Sequence, residues 1–134
     1  MEPQLSREIP GNDEYRALRT AAGLSLMSEE GAALGLPASW CSVCVRDNGE
    51  LIGMGRVVGD GGLFLWVVDI AVAPARQGQG WGRRIMQALM DEVHAQAPKR
   101  TMVGLIADGT AHELYEKFGF KLVAPGAHGM LLRL

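Results

Sequence analysis

Apolar positions recur along the chain with two different periods, and the changes of period divide it into elements. Between Asn12 and Ala22 the residues Tyr15, Leu18 and Ala22 share one side of a 3.6-residue repeat. Asn12 is a good N-cap, Asp13 and Glu14 fall in the first turn and Gly23 is a stop, so this stretch predicts a helix. Ser28 followed by Glu29 and Glu30 starts a second short helix, which Gly35 and Pro37 end. From Trp40 the pattern becomes that of strands. Trp40 to Arg46, Leu51 to Val58 and Leu63 to Val72 are joined by Asp47-Asn48-Gly49-Glu50 and Asp60-Gly61-Gly62. They read as an antiparallel meander with Asn48-Gly49 as its strongest hairpin signal. Gly53 and Gly55 weaken the middle strand and mark a bulge or a close approach by other backbone. The third strand is apolar except for Asp69, and is expected to be central and covered on both faces.

The helical period then returns. Trp81, Ile85, Met86, Leu89, Met90 and Val93 form one stripe, Arg83, Arg84, Gln87 and Asp91 the other, and Pro98 ends the run. The apolar stripe, methionines included, is core packing. Thr101 to Ala107 reads as a strand, making a right-handed parallel crossover with the preceding strand and helix. Thr110 to Phe118 is a short helix stopped by Gly119. Phe120 to Val123 and Met130 to Leu134 are the last strands, separated by Pro125-Gly126. The expected class is α+β: a mixed sheet of antiparallel meander plus one parallel β-α-β crossover, with helices on both faces, in one domain over 1–134.

Composition narrows the function classes. The chain has 134 residues, 48% hydrophobic and 21% charged, as expected of a soluble globular protein. No apolar run approaches the roughly 20 residues of a membrane span, and Met1-Glu2-Pro3-Gln4 lacks a signal pattern, so the expected address is cytoplasmic and no membrane partner is expected. A net charge of −2 does not favour nucleic acid as a partner. Cys41 and Cys44 lie three apart in a strand and so point to opposite faces, which argues against a mutual disulfide; two thiols alone make no closed zinc site. His94, His112 and His128 have no metal-binding spacing, and no metal is expected. Repeats and low-complexity tracts are absent.

Between the third strand and the long helix lies Pro74-Ala75-Arg76-Gln77-Gly78-Gln79-Gly80-Trp81-Gly82-Arg83-Arg84. The first turn of a helix has N–H groups without intrahelical acceptors and carries partial positive charge. Gly78, Gly80 and Gly82 remove side chains that would keep a phosphate away, and Arg76, Arg83 and Arg84 add cations. A diphosphate is the natural guest. The spacing is neither that of a P-loop nor the Gly-x-Gly-x-x-Gly of dinucleotide sites.

Gln77-Gly78-Gln79-Gly80-Trp81-Gly82 resembles the acetyl-coenzyme A signature Gln/Arg-x-x-Gly-x-Gly/Ala of the GCN5-related N-acetyltransferases (GNAT). The preceding Ile70-Ala71-Val72-x-Pro74 and the downstream Leu114-Tyr115-Glu116-Lys117-Phe118-Gly119-Phe120 are similar to further motifs of that family, in the same order. The resemblance implies a fold in which Leu5 to Ile9 is a short first strand and the two N-terminal helices overhang an acceptor pocket. It implies that backbone groups of Ile70, Ala71 and Val72 hold the pantetheine arm in a split between the third strand and Thr101–Ala107. Gln77, Gly78, Gln79, Gly80, Trp81, Gly82 and Arg83 would cradle the pyrophosphate.

Acyl transfer from a thioester to an amine must hold the thioester, supply a neutral amine and protonate the departing thiolate. A backbone amide near Ile70 would polarise the thioester carbonyl. Tyr115, at the tyrosine position of the motif, is the candidate acid. Asp69, a lone carboxylate in an apolar strand, is the candidate base, or else orients a cationic acceptor, caps backbone or pairs with an arginine. Asp108 stands where the family often has an asparagine contacting the coenzyme, or is an N-cap instead. Trp40, Phe64 and Trp66 are core residues or part of the acceptor wall. The function implied is acetyl transfer from acetyl-CoA to a primary amine, most simply a small molecule, by direct attack in a ternary complex. The alternatives are a non-catalytic acyl-CoA-binding module and a protein, peptide or aminoacyl-tRNA amine acetyltransferase. The family resemblance also suggests a homodimer.

Overall fold

The computed structural model describes residues 2–134. Its elements are β1 (Gln4–Arg7), α1 (Asn12–Ala21), α2 (Glu29–Gly35), β2 (Cys41–Asp47), β3 (Glu50–Gly59), β4 (Phe64–Val72), α3 (Trp81–Gln96), β5 (Met102–Leu105) and α4 (His112–Glu116). The strands form one mixed sheet in sequence order, antiparallel from β1 to β4, with β5 parallel to β4. Asn48 and Gly49, with φ of 49° and 84°, are the whole turn between β2 and β3, the left-handed pair that a two-residue hairpin requires.

Alternation along the strands sorts side chains to two cores. On one face Val43, Val45, Val57 and Leu65 pack against Ile85, Met86 and Leu89 of α3. On the other, Cys44, Met54 and Ala71 pack against Tyr15 and Leu18 of α1 and Ala32 of α2. Cys41 therefore joins the α3 core and Cys44 the opposite one, both as buried free thiols. Gly55 leaves no room for a side chain between α3 and the sheet: a Cβ there would lie 2.6 Å from Ile85 Cγ2 of α3 and 2.7 Å from Ile70 Cδ1 of β4.

Several expectations are corrected. The cap of α1 is Gly11, one residue before Asn12, and its N–H donates to Glu14 Oε2 at 2.8 Å. β4 is not covered on both faces along its length, because α1 sits over its far end and leaves Phe64 and Trp66 at its start 63% and 42% exposed. Phe120–Val123 and Met130–Leu134 form no strands, and among the described residues the sheet ends at β5. A run of apolar residues sets a local propensity to extend, whereas pairing requires an edge. Here the chain after Gly119 leaves the sheet, and Arg133 donates to Ser25 Oγ at 2.7 Å and to the Leu26 carbonyl, holding the tail against the connection between α1 and α2.

At the opposite end of the sheet, Arg46 of β2 joins three segments. It donates to Glu8 Oε1 at 3.0 Å, to Glu14 Oε2 at 2.6 Å and to the Gly49 carbonyl at 3.0 Å. These hydrogen bonds hold the Glu14 carboxyl below its ordinary value, against the opposing effect of burial. A carboxyl with a depressed folded-state pKa stabilises the fold above its unfolded value, and that contribution is lost as pH falls through the folded one. The Tm of the wild type is expected to fall more steeply below about pH 4.5 than that of Arg46→Met, which should cost roughly 1 kcal/mol at neutral pH, as thermal melts across pH would show. Burial pushes the Cys44 thiol up to about 12 and the Cys41 thiol upward as well. Both should resist a thiol-disulfide reagent at pH 8 in the native protein and react promptly in denaturant, read by absorbance.

Candidate active site

The centre of the site is a bulge in β4. Arg56 of β3 pairs with Val68 while Met54 pairs with Ala71, so Asp69 and Ile70 together face the single residue Gly55. Asp69 takes a φ of 60°, the left-handed region that aspartate tolerates better than most residues. Its side chain is buried. Tyr15 Oη donates to Oδ1 at 2.9 Å, Arg19 Nη1 donates to the same oxygen, and Arg56 Nε donates to Oδ2 at 2.7 Å. Arg19 continues outward, donating from Nε to the Ser25 carbonyl at 2.9 Å and from Nη2 to Ser25 Oγ at 3.0 Å. Arg56 donates to Ser39 Oγ at 2.9 Å, and its guanidinium lies 5.6 Å from the Tyr15 ring centre. Burial first, and then the Asp69 charge, push the Tyr15 phenol upward, so it stays protonated as a donor. One carboxylate thus ties α1, β3 and β4 together; of the roles read for it in the sequence, it is observed pairing with arginines.

Beside the bulge the sheet opens. Pairing between β4 and β5 runs from Phe64–Met102 to Val67–Leu105 and stops, leaving Val68 to Val72 without a strand partner on that side among the described residues. A cavity of about 1100 Å³ lies here. Asp69, Ile70, Asp108 and Tyr115 line it together with Trp66, and Arg19 and the chain from Gly23 to Ser28 form the opposite wall. The Trp66 indole lies across Gly104 of β5, where a Cβ would be 2.6 Å from its Cε3. Tyr115 is buried on α4; burial, and secondarily the Asp108 carboxylate, push its phenol upward. The hydroxyl is therefore neutral across the physiological range and able to donate a proton.

The glycine loop reaches α3 through two left-handed residues, Gly78 and the N-cap Gly80, with φ of 79° and 87°. A Cβ at either would meet nothing within 4 Å, so φ rather than crowding demands glycine there. Among the described residues the N–H groups from Gly78 to Arg83 have no protein acceptor; the first to find one is Arg84, 3.1 Å from the Gly80 carbonyl. That row of donors suits a diphosphate. Gln77 Nε2 donates to the Val72 carbonyl at 3.0 Å, fastening the loop to the end of β4. Gly82 lies against Leu114, so the loop and the helix carrying Tyr115 are neighbours.

The loop residues Gln77 to Arg83 do not line the cavity, and neither do Ala71 and Val72. Trp81 buries its side chain in the α3 core, leaving its N–H for a guest, and Ala71 faces α1. Of the three arginines near the loop, Arg76 is paired with Asp47, Arg84 stacks 4.3 Å over Trp81 and Arg83 is exposed. Asp108 does not cap α4 with its side chain; its carbonyl accepts from Ala111 at 3.0 Å. Trp40 packs on the α3 core, Trp66 is a cavity residue and Phe64 is exposed outside the cavity.

Sequence reasoning did not select Arg19 and Arg56, and read Tyr15 as a core residue only. A signal was present: Arg19 stands four residues after Tyr15, on the apolar face of its helix, and Arg56 is the lone cation in β3 as Asp69 is the lone anion in β4. Removing one partner from a buried ion pair leaves unpaired charge. Asp69→Ala is expected to cost about 3 to 5 kcal/mol in urea unfolding, and Tyr15→Phe about 1 kcal/mol.

With this geometry in place, the comparisons with known proteins fall into line. Residues 39–122 match the model of the acetyltransferase (GNAT) domain. The chain is similar over 99% of its length, and 100% of the other's, to a protein of unknown function from meticillin-resistant Staphylococcus aureus described as a probable acetyltransferase, at 41% identity and a TM-score of 0.95. It shares the fold of a GNAT family acetyltransferase from Streptococcus pneumoniae, at 22% identity and a TM-score of 0.77, covering 99% of this chain and 98% of that one. The fold also matches a GNAT family N-acetyltransferase from Escherichia coli solved in complex with CoA, at 22% identity and a TM-score of 0.68, covering 92% of this chain and 71% of that one. The motif order, the split sheet and these matches together show that the chain belongs to the GNAT family of acetyltransferases.

Proposed function

We propose that the protein transfers the acetyl group of acetyl-CoA to the primary amine of a small molecule by direct attack in a ternary complex. The observation that carries the reading is the position of the neutral Tyr115 phenol in the cavity at the place where β4 loses its β5 partner. When bound, the coenzyme supplies an activated acetyl thioester. The residues fit such a guest: the open N–H row from Gly78 to Arg83 matches its diphosphate, and the unpaired edge of β4 at Ile70 and Val72 matches its amide-bearing arm. That a relative of the same fold was solved with CoA supports the assignment.

In this reading the cavity beside Asp69 and Trp66 holds the acceptor amine. As the amine nitrogen bonds to the acetyl carbon and the carbon–sulfur bond breaks, Tyr115 donates its proton to the leaving sulfur, and the surplus amine proton passes to water in the open cavity. A backbone N–H at the bulge polarises the thioester carbonyl. Both oxygens of Asp69 already accept from cationic donors. We therefore give Asp69 a positioning role, holding the bulge so that the β4 edge faces the coenzyme. Asp108 lies at the cavity beside Tyr115, where the coenzyme arm would pass. A cavity with aromatic and aliphatic walls favours a small amine over a peptide. The proposed setting is the cytoplasm, with a homodimer as the working form.

Thiol release from acetyl-CoA across a panel of amines, amino sugars, polyamines and peptide N-termini tests the reading. Tyr115→Phe is expected to lower kcat by about 10² or more while leaving the affinity for CoA nearly unchanged. Tight CoA binding without acceptor-dependent release on any member of the panel would count against transfer to a small amine.

A further inference from the structure

The cluster around Asp69 carries more positive charge than negative. Arg19 and Arg56 share its one carboxylate, and their side chains are only 9% and 12% exposed. Every other acceptor they reach is neutral: Ser25 for Arg19, and Ser39 Oγ with the Gly35 carbonyl, at 3.4 Å, for Arg56. Tyr15, protonated, adds no charge. One positive charge therefore stands largely out of water without a counter-ion, a costly arrangement that an anionic guest relieves. The unspent donor is on Arg56. Its Nε goes to Asp69 and its Nη1 to Ser39 and Gly35, while Nη2 has no protein acceptor among the described residues. Nor is Nη2 sealed in, since among those residues Ser42 Oγ is the one buried side-chain polar atom without a partner. Arg56 lines the cavity and also a recess of about 190 Å³ walled by Gly31, Ala32 and Gly35 of α2. The two spaces share Tyr15, Met27, Ser28 and Arg56, so the guanidinium stands where they meet.

The rest of the cavity selects further. Among the described residues its charged side chains are Arg19, Arg56 and Arg133 against Asp69 and Asp108. Asp69 spends both oxygens on Tyr15 and the two arginines, and Asp108 lies toward Tyr115. A polyamine entering beside Asp69 finds no free carboxylate for its second cation. Next to Arg56 the wall is apolar. Val58 stands two residues along β3 and its register partner on β4 is Trp66; both line the cavity, with Leu24 and Met27. Arg56 itself pairs with Val68, two residues before Ile70. That is about 7 Å along a strand, within the reach of one amino acid.

We propose that the acceptor is an amino acid with an apolar side chain: Arg56 Nη2 donates to its carboxylate, Val58 and Trp66 pack on its side chain, and its amine faces the β4 bulge at Ile70. The inference rests on the acetyl-transfer reading and narrows its small amine to one chemical class. Arg56 then has two tasks, holding Asp69 through Nε and selecting the acceptor through Nη2.

Matched pairs that differ by the carboxylate alone test this: phenylalanine against phenethylamine, and leucine against isoamylamine, each with acetyl-CoA and thiol release as the readout. Each amino acid is expected to show a kcat/KM about tenfold or more above its decarboxylated partner, the scale of one hydrogen bond to a charged group. Spermidine should be the poorest acceptor. Arg56→Lys keeps a cation for Asp69 but has no second edge, so it should bring both ratios near one, chiefly by raising KM for the amino acid. A purely structural role would lower turnover of both members of a pair alike. Hydrocinnamate, which has the carboxylate and no amine, reads the same contact without turnover: by calorimetry in the presence of CoA it should bind the wild type, and Arg56→Lys about tenfold more weakly. Phenethylamine acetylated as efficiently as phenylalanine by the wild type would overturn the proposal and leave acetyl transfer standing, and this comparison decides even where Arg56→Lys fails to fold. Hydrocinnamate binding that Arg56→Lys weakens, without thiol release on any amine, would uphold the carboxylate site and count against transfer. Absence of hydrocinnamate binding to the wild type would overturn the proposal.

Discussion

A carboxylate withdrawn from water is costly unless donors replace its hydration, and at Asp69 a phenol and two guanidinium groups do so. The arrangement has consequences in three directions. It fixes α1 against the sheet, because Tyr15 and Arg19 approach from one helical face. It fixes the connection after α1, because Arg19 spends its remaining donors on Ser25. And it holds a non-glycine residue at φ 60°, which keeps the β4 bulge in place. The cavity and the parting of β4 from β5 lie beside that one anchored side chain.

Close approach sets the remaining geometry. Gly55 lets α3 and the bulge share a narrow layer, Gly104 lets the Trp66 ring cover β5, and Gly78 and Gly80 turn the chain into α3 with its first N–H groups outward. These positions differ in what they demand: the first two need the absence of a side chain, the last two need a positive φ. Tyr115 completes the arrangement from α4, which rests on the start of α3 through Leu114. Tyr115 and Ile70 line the cavity, and the free N–H groups of the glycine loop lie outside it.

The meander, the crossover and the glycine loop were legible because each depends on neighbours in sequence. Asn48-Gly49 needs only its own two dihedrals to turn, and the Trp81 to Val93 stripe needs only its 3.6-residue repeat. Asp69 was legible as an anomaly, a lone charge in an apolar strand, while its partners were not, since Tyr15 and Arg19 lie 54 and 50 positions away. The last two strands were misread for a related reason. Val123 and Leu132 carry strand propensity, which is local, but a strand exists only where another edge accepts it.

What the sequence by itself determined is therefore the elements up to the helix that carries Tyr115, their order and the family, because these follow from short-range periodicity, dihedral preference and side-chain chemistry. Only the tertiary structure decided which residues meet. It paired Asp69 with Arg19 and Arg56, parted β4 from β5 beyond Leu105, placed Tyr115 at that parting and carried the tail away from its own sheet. Those outcomes depend on contacts between distant segments, which only the packing of the two cores brings within reach.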